Sequence, residues 1–563
     1  MAQTLALRLE IPQTPLVEKT VALLRRELRE RGQVDVTVQS TGTAGLVLGI
    51  TPGIGTEGYR IESDHGACRI TGNDERGLLY GVGKYLRGCR FGKGCVAHTE
   101  WRGTSVPKRS TRGIYFATHF GNYYHTAPLP DVIRYVEELA LWGCNSLCVW
   151  FDMHHYTGID DPAAQSMTDR LHAILQAANR VGMGASLLML ANEAYSTSPK
   201  ELRAEPFPHH YHVELCPAKP EGLELILRWR RQMLERFADL TLDYIGIWPY
   251  DQGGCKCPDC SPWGGNGYVR VARELAKMVR SMFPASRIFV SAWEFGYWFG
   301  DAEWELFYKE LGTAPDWADA IMAEGHGDFP PYVLKHGKPG GLPLLNFPEI
   351  SMSGMYPWGG FGANLQPKRL QKVWDTCKSM LAGGFPYSEG IFEDINKVVC
   401  LQLYWDADRP VLDTLREYAS YEFSPESADA LADAMFAAEA GMSHTLVEKW
   451  QEAIPETGLP ATPIYRLGNT AGAASTFATV QAADAGMDTR ARSTWRWRLF
   501  YLRCVLDAEL AASGGVATPS TERHFEEIRA IIHADDAVTT LCVNAPSVEA
   551  LRRLLKRQRA NIW

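Results

Sequence analysis

The chain has 563 residues, 46% of them apolar and 22% charged, with a formal net charge of −9. That balance describes a globular protein with a large core, and the length allows roughly three to four domains. It carries no basic stripe of the kind that binds nucleic acid, and no apolar run near the ~18 residues a membrane span needs.

The first residues lack a basic segment followed by a long apolar one, so no secretory leader is expected. The 13 cysteines are odd in number and scattered. Such usage implies no disulfide framework and fits a reducing cytoplasm.

Residues 1–104 alternate short strand-like runs ("LVLGI", "YRIES", "CRITG") with helix-like ones ("PLVEKTVALLRRELRERG", "DERGLLYGVGKYLRGC"). They predict a small α/β domain, and the basic, proline-containing "SVPKRSTRG" (105–113) reads as its linker to the next domain. From 113 to 405 one theme repeats: an apolar run, a polar or aromatic loop, then an amphipathic helix. Eight runs can be counted, at 113–120, 145–153, 184–192, 244–251, 287–295, 319–326, 342–350 and 383–390. Their number and spacing predict a (β/α)₈ TIM barrel. A doubly wound sheet is the alternative, but "ATHFGNYYH" after the first run is no glycine-rich phosphate turn. Residues 410–563 read as helices only, giving a C-terminal all-α domain. The fold class expected is thus α/β, a TIM barrel flanked by a small α/β domain and a helical one.

Barrel chemistry gathers at the C-terminal strand ends. Here those ends carry His119 (strand 1), Trp150, Asp152, His154 and His155 (strand 2), and Asn192 and Glu193 (strand 3). Strand 4 ends in Asp251 and Gln252, and strand 5 in Trp293, Glu294 and Trp298. Strand 6 adds Glu324, His326 and Asp328, strand 7 Glu349 with Trp358 in its loop, and strand 8 Tyr387, Glu389, Glu393 and Asp394. Carboxylates interleaved with aromatics suit glycoside hydrolysis, which needs one acid for the leaving oxygen and a second group at the anomeric centre. Pyranose rings also stack on Trp and Tyr, of which the chain has 17 and 23. Glu393 and Asp394, opening a helix, read equally well as first-turn acids favoured by the helix dipole.

The segment "YRIESDHGACRITGNDERGLLYGVGKYLR" resembles the N-terminal domain that precedes the barrel in glycoside hydrolases of families 20, 67 and 84, and "PYSEGIFEDINK" is similar to barrel segments of that broad group. The resemblance spans residues 1–405 and does not choose a member. It implies a general acid at the end of strand 4, which is Asp251. Families 20 and 84 place two adjacent carboxylates there, one of them orienting the substrate's 2-acetamido group; Asp251–Gln252 breaks that pair. Glu294 on the next strand is then the expected partner, with Glu389 as second carboxylate or sugar ligand. His119, Trp150, Asp152, His154, Asn192, Gln252, Trp293, Trp298, His326, Glu349, Trp358 and Tyr387 are the expected substrate contacts.

The expected activity is exo-acting removal of a terminal β-linked N-acetylhexosamine, GlcNAc or GalNAc, with acetamido assistance and no catalytic cofactor. The alternatives are an inverting α-glucuronidase-like or other exo-glycosidase, and a barrel that binds sugar without cutting it. A uronate would call for a cation in the pocket; Lys397 is the nearest and lies deeper in a helix. Carbohydrate is the expected partner, and a homodimer is compatible with the sequence without being argued by it.

"CKCPDC" puts Cys255, Cys257 and Cys260 on one loop, with Cys216 as fourth ligand of a structural zinc site and His209, His210 and His212 in reserve. A loop disulfide and free thiols remain open beside zinc.

Overall fold

A computed structural model of the chain describes residues 4–39, 44–119, 122–207, 211–251, 253–325, 329–351, 364–441, 471–514 and 518–533. Residues 4–105 form a six-stranded sheet in the order Asp35–Gln39, Thr4–Glu10, Leu46–Ile50, Ala67–Gly72, Tyr59–Asp64, Gly103–Ser105, with helices Pro15–Gly32 and Glu75–Gly88 packed on it. Helix Pro15–Gly32 starts where Thr14 accepts a hydrogen bond from the Val17 N–H (3.3 Å) and stops at Gln33 in the left-handed conformation. Helix Glu75–Gly88 also touches the first barrel helix, Leu129–Leu141, so this layer leans on the barrel wall.

The barrel closes from eight parallel strands: Thr111–Phe116, Ser146–Trp150, Gly184–Leu190, Leu242–Trp248, Arg287–Ser291, Ala320–Gly325, Leu344–Pro348 and Leu381–Gly384. Each lies inside the run predicted for it or within two residues of it. Strand 8 is interrupted at Phe385–Pro386, where proline has no N–H to donate, and resumes at Tyr387–Ser388 beside strand 1. Alternation sets the faces: Cys148, Trp150, Leu188, Leu190, Tyr244 and Trp248 fill the barrel, while Leu147, Val149, Leu187 and Ile245 face the helices. Gly113 and Gly246 leave the space that Phe385 and Phe289 occupy, since a Cβ would lie 2.3 and 2.1 Å from those rings. The helices between strands are amphipathic; Gly267–Met282 buries Tyr268, Val271, Ala272, Leu275 and Val279 at helical spacing.

The linker docks on the last barrel helix, Asp394–Trp405: the N–H groups of Lys108 and Arg109 donate to the carbonyls of Trp405 and Tyr404. Next to it the fully buried Arg112 pairs with Glu57 of the N-terminal sheet region (2.5 Å), fastening the two layers. Described helices after the barrel are Val411–Glu422, Ala428–Ala438, Ala473–Gly486, Thr489–Ser493, Trp495–Ala512 and Pro519–Ile531. Arg496 of that region donates to Asp394 (2.8 Å) and Glu138 (2.8 Å), and Glu439 caps helix Pro367–Cys377 at the N–H of Lys368. No helix among the described residues is long and apolar enough to cross a membrane.

Candidate active site

The barrel's upper layer is aromatic. Phe347 sits against Trp248 (ring centroids 4.9 Å), Tyr115 (5.5 Å), Tyr387 (5.7 Å) and Trp293 (5.9 Å), and Tyr115 stacks on Tyr387. Trp150 closes the ring edge-on to His119 (5.2 Å). This floor belongs to the packed core and turns its upper side toward the strand-end loops.

On one side stand the groups of strands 2 to 4. Glu193 is their hub: one oxygen accepts from His154 Nδ1 (2.7 Å), the other from Trp150 Nε1 (3.3 Å). The buried Arg230 holds the backbone under it, donating to the Glu193 carbonyl (2.8 Å). His154 stacks on Tyr211 (4.0 Å), and Asp152 faces His155 (3.5 Å). Burial pushes the Asp152 and Glu214 carboxyls up to about 7, with the Glu193 charge adding to the rise and His154 opposing it. Asp251 has an open surface, yet the protein around it pushes its carboxyl up to about 6 against the pull of His154. Burial drives the His119 imidazole down to about 3, so it is neutral at physiological pH. Asp152 Oδ1, His154 Nε2 and Glu214 Oε2 are buried with no hydrogen-bond partner among the described residues.

Asp251 and Glu294 both sit in the left-handed region, at φ +75° and +59°. Non-glycine residues adopt it only where surroundings dictate. Those surroundings are visible. The side chain of Asn192 donates to the carbonyls of Leu215 (2.8 Å) and Gly254 (2.9 Å) and accepts from the Gly254 N–H (2.7 Å). Trp263, fully buried, donates to the Pro249 carbonyl (2.7 Å). Glu303, fully buried, accepts from the Tyr250 hydroxyl and from the N–H groups of Gly264 (2.8 Å) and Gly296 (3.0 Å), tying the strand 4 loop to the strand 5 loop.

On the opposite side, Glu389 accepts from the Tyr387 hydroxyl (2.9 Å), and burial together with the Glu349 charge pushes its carboxyl up to about 8. Glu349 accepts from the Ser351 N–H (2.8 Å). Glu393 is spent inside the fold, on Ser351, Ser388 and Gly390, and Asp394 on Tyr135, Tyr418 and Arg496. Glu393 thus ties the strand 7 and strand 8 loops together, and Asp394 ties the last barrel helix to the helices around it.

Of the expected residues, Asp152 and His154 stand with Asp251 on the side of strands 2 to 4 and Glu349 with Glu389 on the side of strands 7 and 8, while His119, Trp150, Trp293 and Tyr387 pack into the aromatic floor. Glu294 borders the strand 4 loop, and Trp298 leans on Phe207 (4.8 Å). The Asn192 amide makes its hydrogen bonds to the two loops at Leu215 and Gly254 and braces them, and its neighbour Glu193 meets His154 and Trp150. Gln252, His326 and Trp358 lie outside the described residues. Glu303, Tyr211 and Glu214 were not anticipated as site components; each lies in a loop or at a helix start, away from the strand ends where the sequence directs attention. Cys255, Cys257 and Cys260 of the strand 4 loop come together with Cys216 of the loop after strand 3.

Residues 3–84 match the family model for glycosyl hydrolase family 20, domain 2. The fold is similar to a family GH115 4-O-methyl-α-glucuronidase with specificity for decorated arabinogalactans (TM-score 0.61, 11% identity, 98% of this chain and 77% of that one). It is similar to a GH138 enzyme targeting pectin rhamnogalacturonan II (TM-score 0.57, 11% identity, 99% and 92%). A GH20 β-N-acetylhexosaminidase from Streptomyces coelicolor A3(2) is similar too (TM-score 0.52, 14% identity, 81% and 94%). These likenesses concern fold, and they agree with the broad group to which the sequence bears its resemblance. No curated protein matches the sequence.

Proposed function

We propose that the chain is an exo-acting glycoside hydrolase that removes a terminal β-linked N-acetylhexosamine. The observation that carries this reading is Asp251: a carboxyl raised to about 6 at the end of strand 4, within reach of the charges of Glu193 and His154, with Glu389 at the end of the opposite strand. An acid of that strength can hold a proton for the glycosidic oxygen and give it up as the bond breaks. The acetamido oxygen of the substrate attacks the anomeric carbon, the exocyclic C–O bond breaks, and Asp251 protonates the departing oxygen. Water then opens the cyclic intermediate, with the Asp251 carboxylate taking its proton. Glu294, on the neighbouring strand, orients the acetamido N–H. Glu389, protonated at neutral pH, donates to a sugar hydroxyl, and Asp152, His154 and Glu214 offer unpartnered polar atoms to others.

Arg230 and Lys397 are fully buried, the one donating to backbone carbonyls of strand 3 and the other to Ser388 and the Gly390 carbonyl. Arg369 donates to the Glu349 carbonyl and Gln366. With these three committed to the fold, the described residues fit a neutral or acetamido sugar better than a uronate. The placement of Asp251 and Glu389 on opposite strands favours a second reading, inverting hydrolysis with water between two separated carboxyls. Carbohydrate is the partner in either reading, and the four thiols do not enter the chemistry.

The test is release of 4-nitrophenol from β-GlcNAc, β-GalNAc, β-glucosyl, β-galactosyl and α-glucuronyl glycosides, with a GlcNAc-derived thiazoline as inhibitor. Cleavage of an N-acetylhexosaminide that the thiazoline blocks supports acetamido assistance. Cleavage of only a plain hexoside or uronide overturns it in favour of the inverting reading.

A further inference from the structure

Where the loop that presents Asp251 meets the loop after strand 3, the sulfur of Cys216 lies 3.7 Å from those of Cys255 and Cys257 and 3.9 Å from that of Cys260. All four sulfurs lie within 4.8 Å of one another, and none is in a disulfide. A disulfide would need about 2.05 Å between one pair. Four sulfurs at ~2.3 Å from a tetrahedral centre stand about 3.8 Å apart, which is the spacing found from Cys216 to the other three. Cys216, Cys255 and Cys260 are buried and Cys257 half-buried, so four bare thiols would crowd together with nothing at their centre to bind. Among the described residues no other group of His, Cys, Asp or Glu side chains converges in this way.

We infer that Cys216, Cys255, Cys257 and Cys260 bind one structural zinc ion, and that this ion fixes the loop carrying Asp251. An all-sulfur, tetrahedral donor set selects zinc among common divalent ions and leaves no open position, so the ion itself does no chemistry. The surroundings suit thiolate ligands: the N–H of Glu205 donates to the Cys255 sulfur (3.4 Å), and backbone N–H groups of Ala218 and Cys257 point to the sulfurs of Cys216 and Cys255. The position in the chain gives the ion its role. Asn192 joins Leu215 to Gly254, and the metal joins the very next residue of each loop, Cys216 to Cys255. The two clamps form consecutive rungs between the loops that hold Glu214 and Asp251. Without the metal, the loop at Asp251 would lose one of its braces and lean on contacts such as those from Asn192, Trp263 and Glu303.

The ion itself is independent of the proposed activity; its effect on Asp251 rests on that reading, and the experiment keeps them apart. The full chain is purified under reducing conditions, its metal content measured, and zinc release followed while the thiols are titrated with a mercurial. Expected are one zinc per chain, released as the cluster is modified, and tetrahedral cobalt–thiolate absorption after exchange with Co²⁺. C257S, at the least buried ligand, and C216S each lose the zinc. Hydrogen exchange then quickens in residues 211–218 and 249–260 and stays unchanged in strand 7. A folded, reduced protein without metal, or with iron in the site, overturns the zinc assignment. Zinc that leaves without any change in exchange near Asp251 overturns the clamp. Absence of glycosidase activity with zinc bound and the loop protected would count against the proposed reaction alone.

Discussion

Asp251 makes the sharpest demand on the proposed chemistry. With its carboxyl at about 6, half the molecules hold the acid proton at that pH and about a tenth at pH 7. The value of kcat/KM should therefore fall about tenfold per pH unit above 6, once the other groups are ionised as required. Asp251→Asn should lose roughly 10²- to 10⁴-fold in kcat/KM on a disaccharide, whose leaving alcohol needs the proton. It should lose much less on a 4-nitrophenyl glycoside, whose leaving group departs unaided. The same structure says what moves the limb. Glu193 helps hold the Asp251 carboxyl up and His154 pulls it down, so Glu193→Gln shifts the descending limb to lower pH and His154→Gln to higher. The assay is kcat/KM against pH for wild type and the three variants, on one activated and one unactivated substrate. A limb unmoved by Glu193→Gln, or equal losses of Asp251→Asn on both substrates, would refute the assignment of Asp251 as the acid.

Asn192→Ala removes three buried hydrogen bonds and strands two carbonyls and an N–H, a loss of about 3 kcal/mol at ~1 kcal/mol each. Urea denaturation should show it, and Asn192→Asp, which keeps only the bond from the Gly254 N–H, should fall between; a change under about 0.5 kcal/mol would contradict the brace. Glu389, raised from 4.5 to about 8, binds its proton more tightly folded than unfolded. Stability is therefore full below the unfolded value and lost as pH rises toward 8, by roughly 5 kcal/mol in all. Glu389→Gln should match wild type in acid and exceed it in stability above pH 8; equal denaturation midpoints at pH 9 would refute the raised value.

The barrel was legible because its strands are continuous apolar runs separated by amphipathic helices, and period alone places their polar ends at the mouth. Helix Ala473–Gly486 shows no such stripe: it buries Thr476, Val480 and Ala483, and its small residues leave its boundaries unmarked in the sequence. Within the site, strand ends were visible and orientations were not. Asn192 and Glu193 are neighbours pointing into different surroundings, and only the loops around them decide which one faces the mouth. Glu303 reads in sequence as one more first-turn acid of helix Asp301–Leu311. Its role appears only when strands 4 and 5 bring Tyr250, Gly264 and Gly296 to it.

The mouth is assembled from groups that oppose folding. The carboxyls of Asp152, Glu214, Asp251 and Glu389 all sit above their ordinary values, which means their charged forms are less welcome here than in water. Asp251 and Glu294 occupy backbone conformations of order 1–3 kcal/mol above the usual ones. Such an arrangement persists only if elements outside the mouth hold it, and the braces found are all of that kind. Asn192, Trp263, Glu303 and Arg230 are buried, make polar contacts to the loops that carry the acids, and put most of their hydrogen bonds into backbone. The thiol cluster lies on the same side, one residue beyond Asn192's contacts. This division of labour explains why the residues that matter most for geometry look least like catalysts. An acid needs a poor environment for its charge, and the loop that supplies it must be stiffened by neighbours that never meet the substrate.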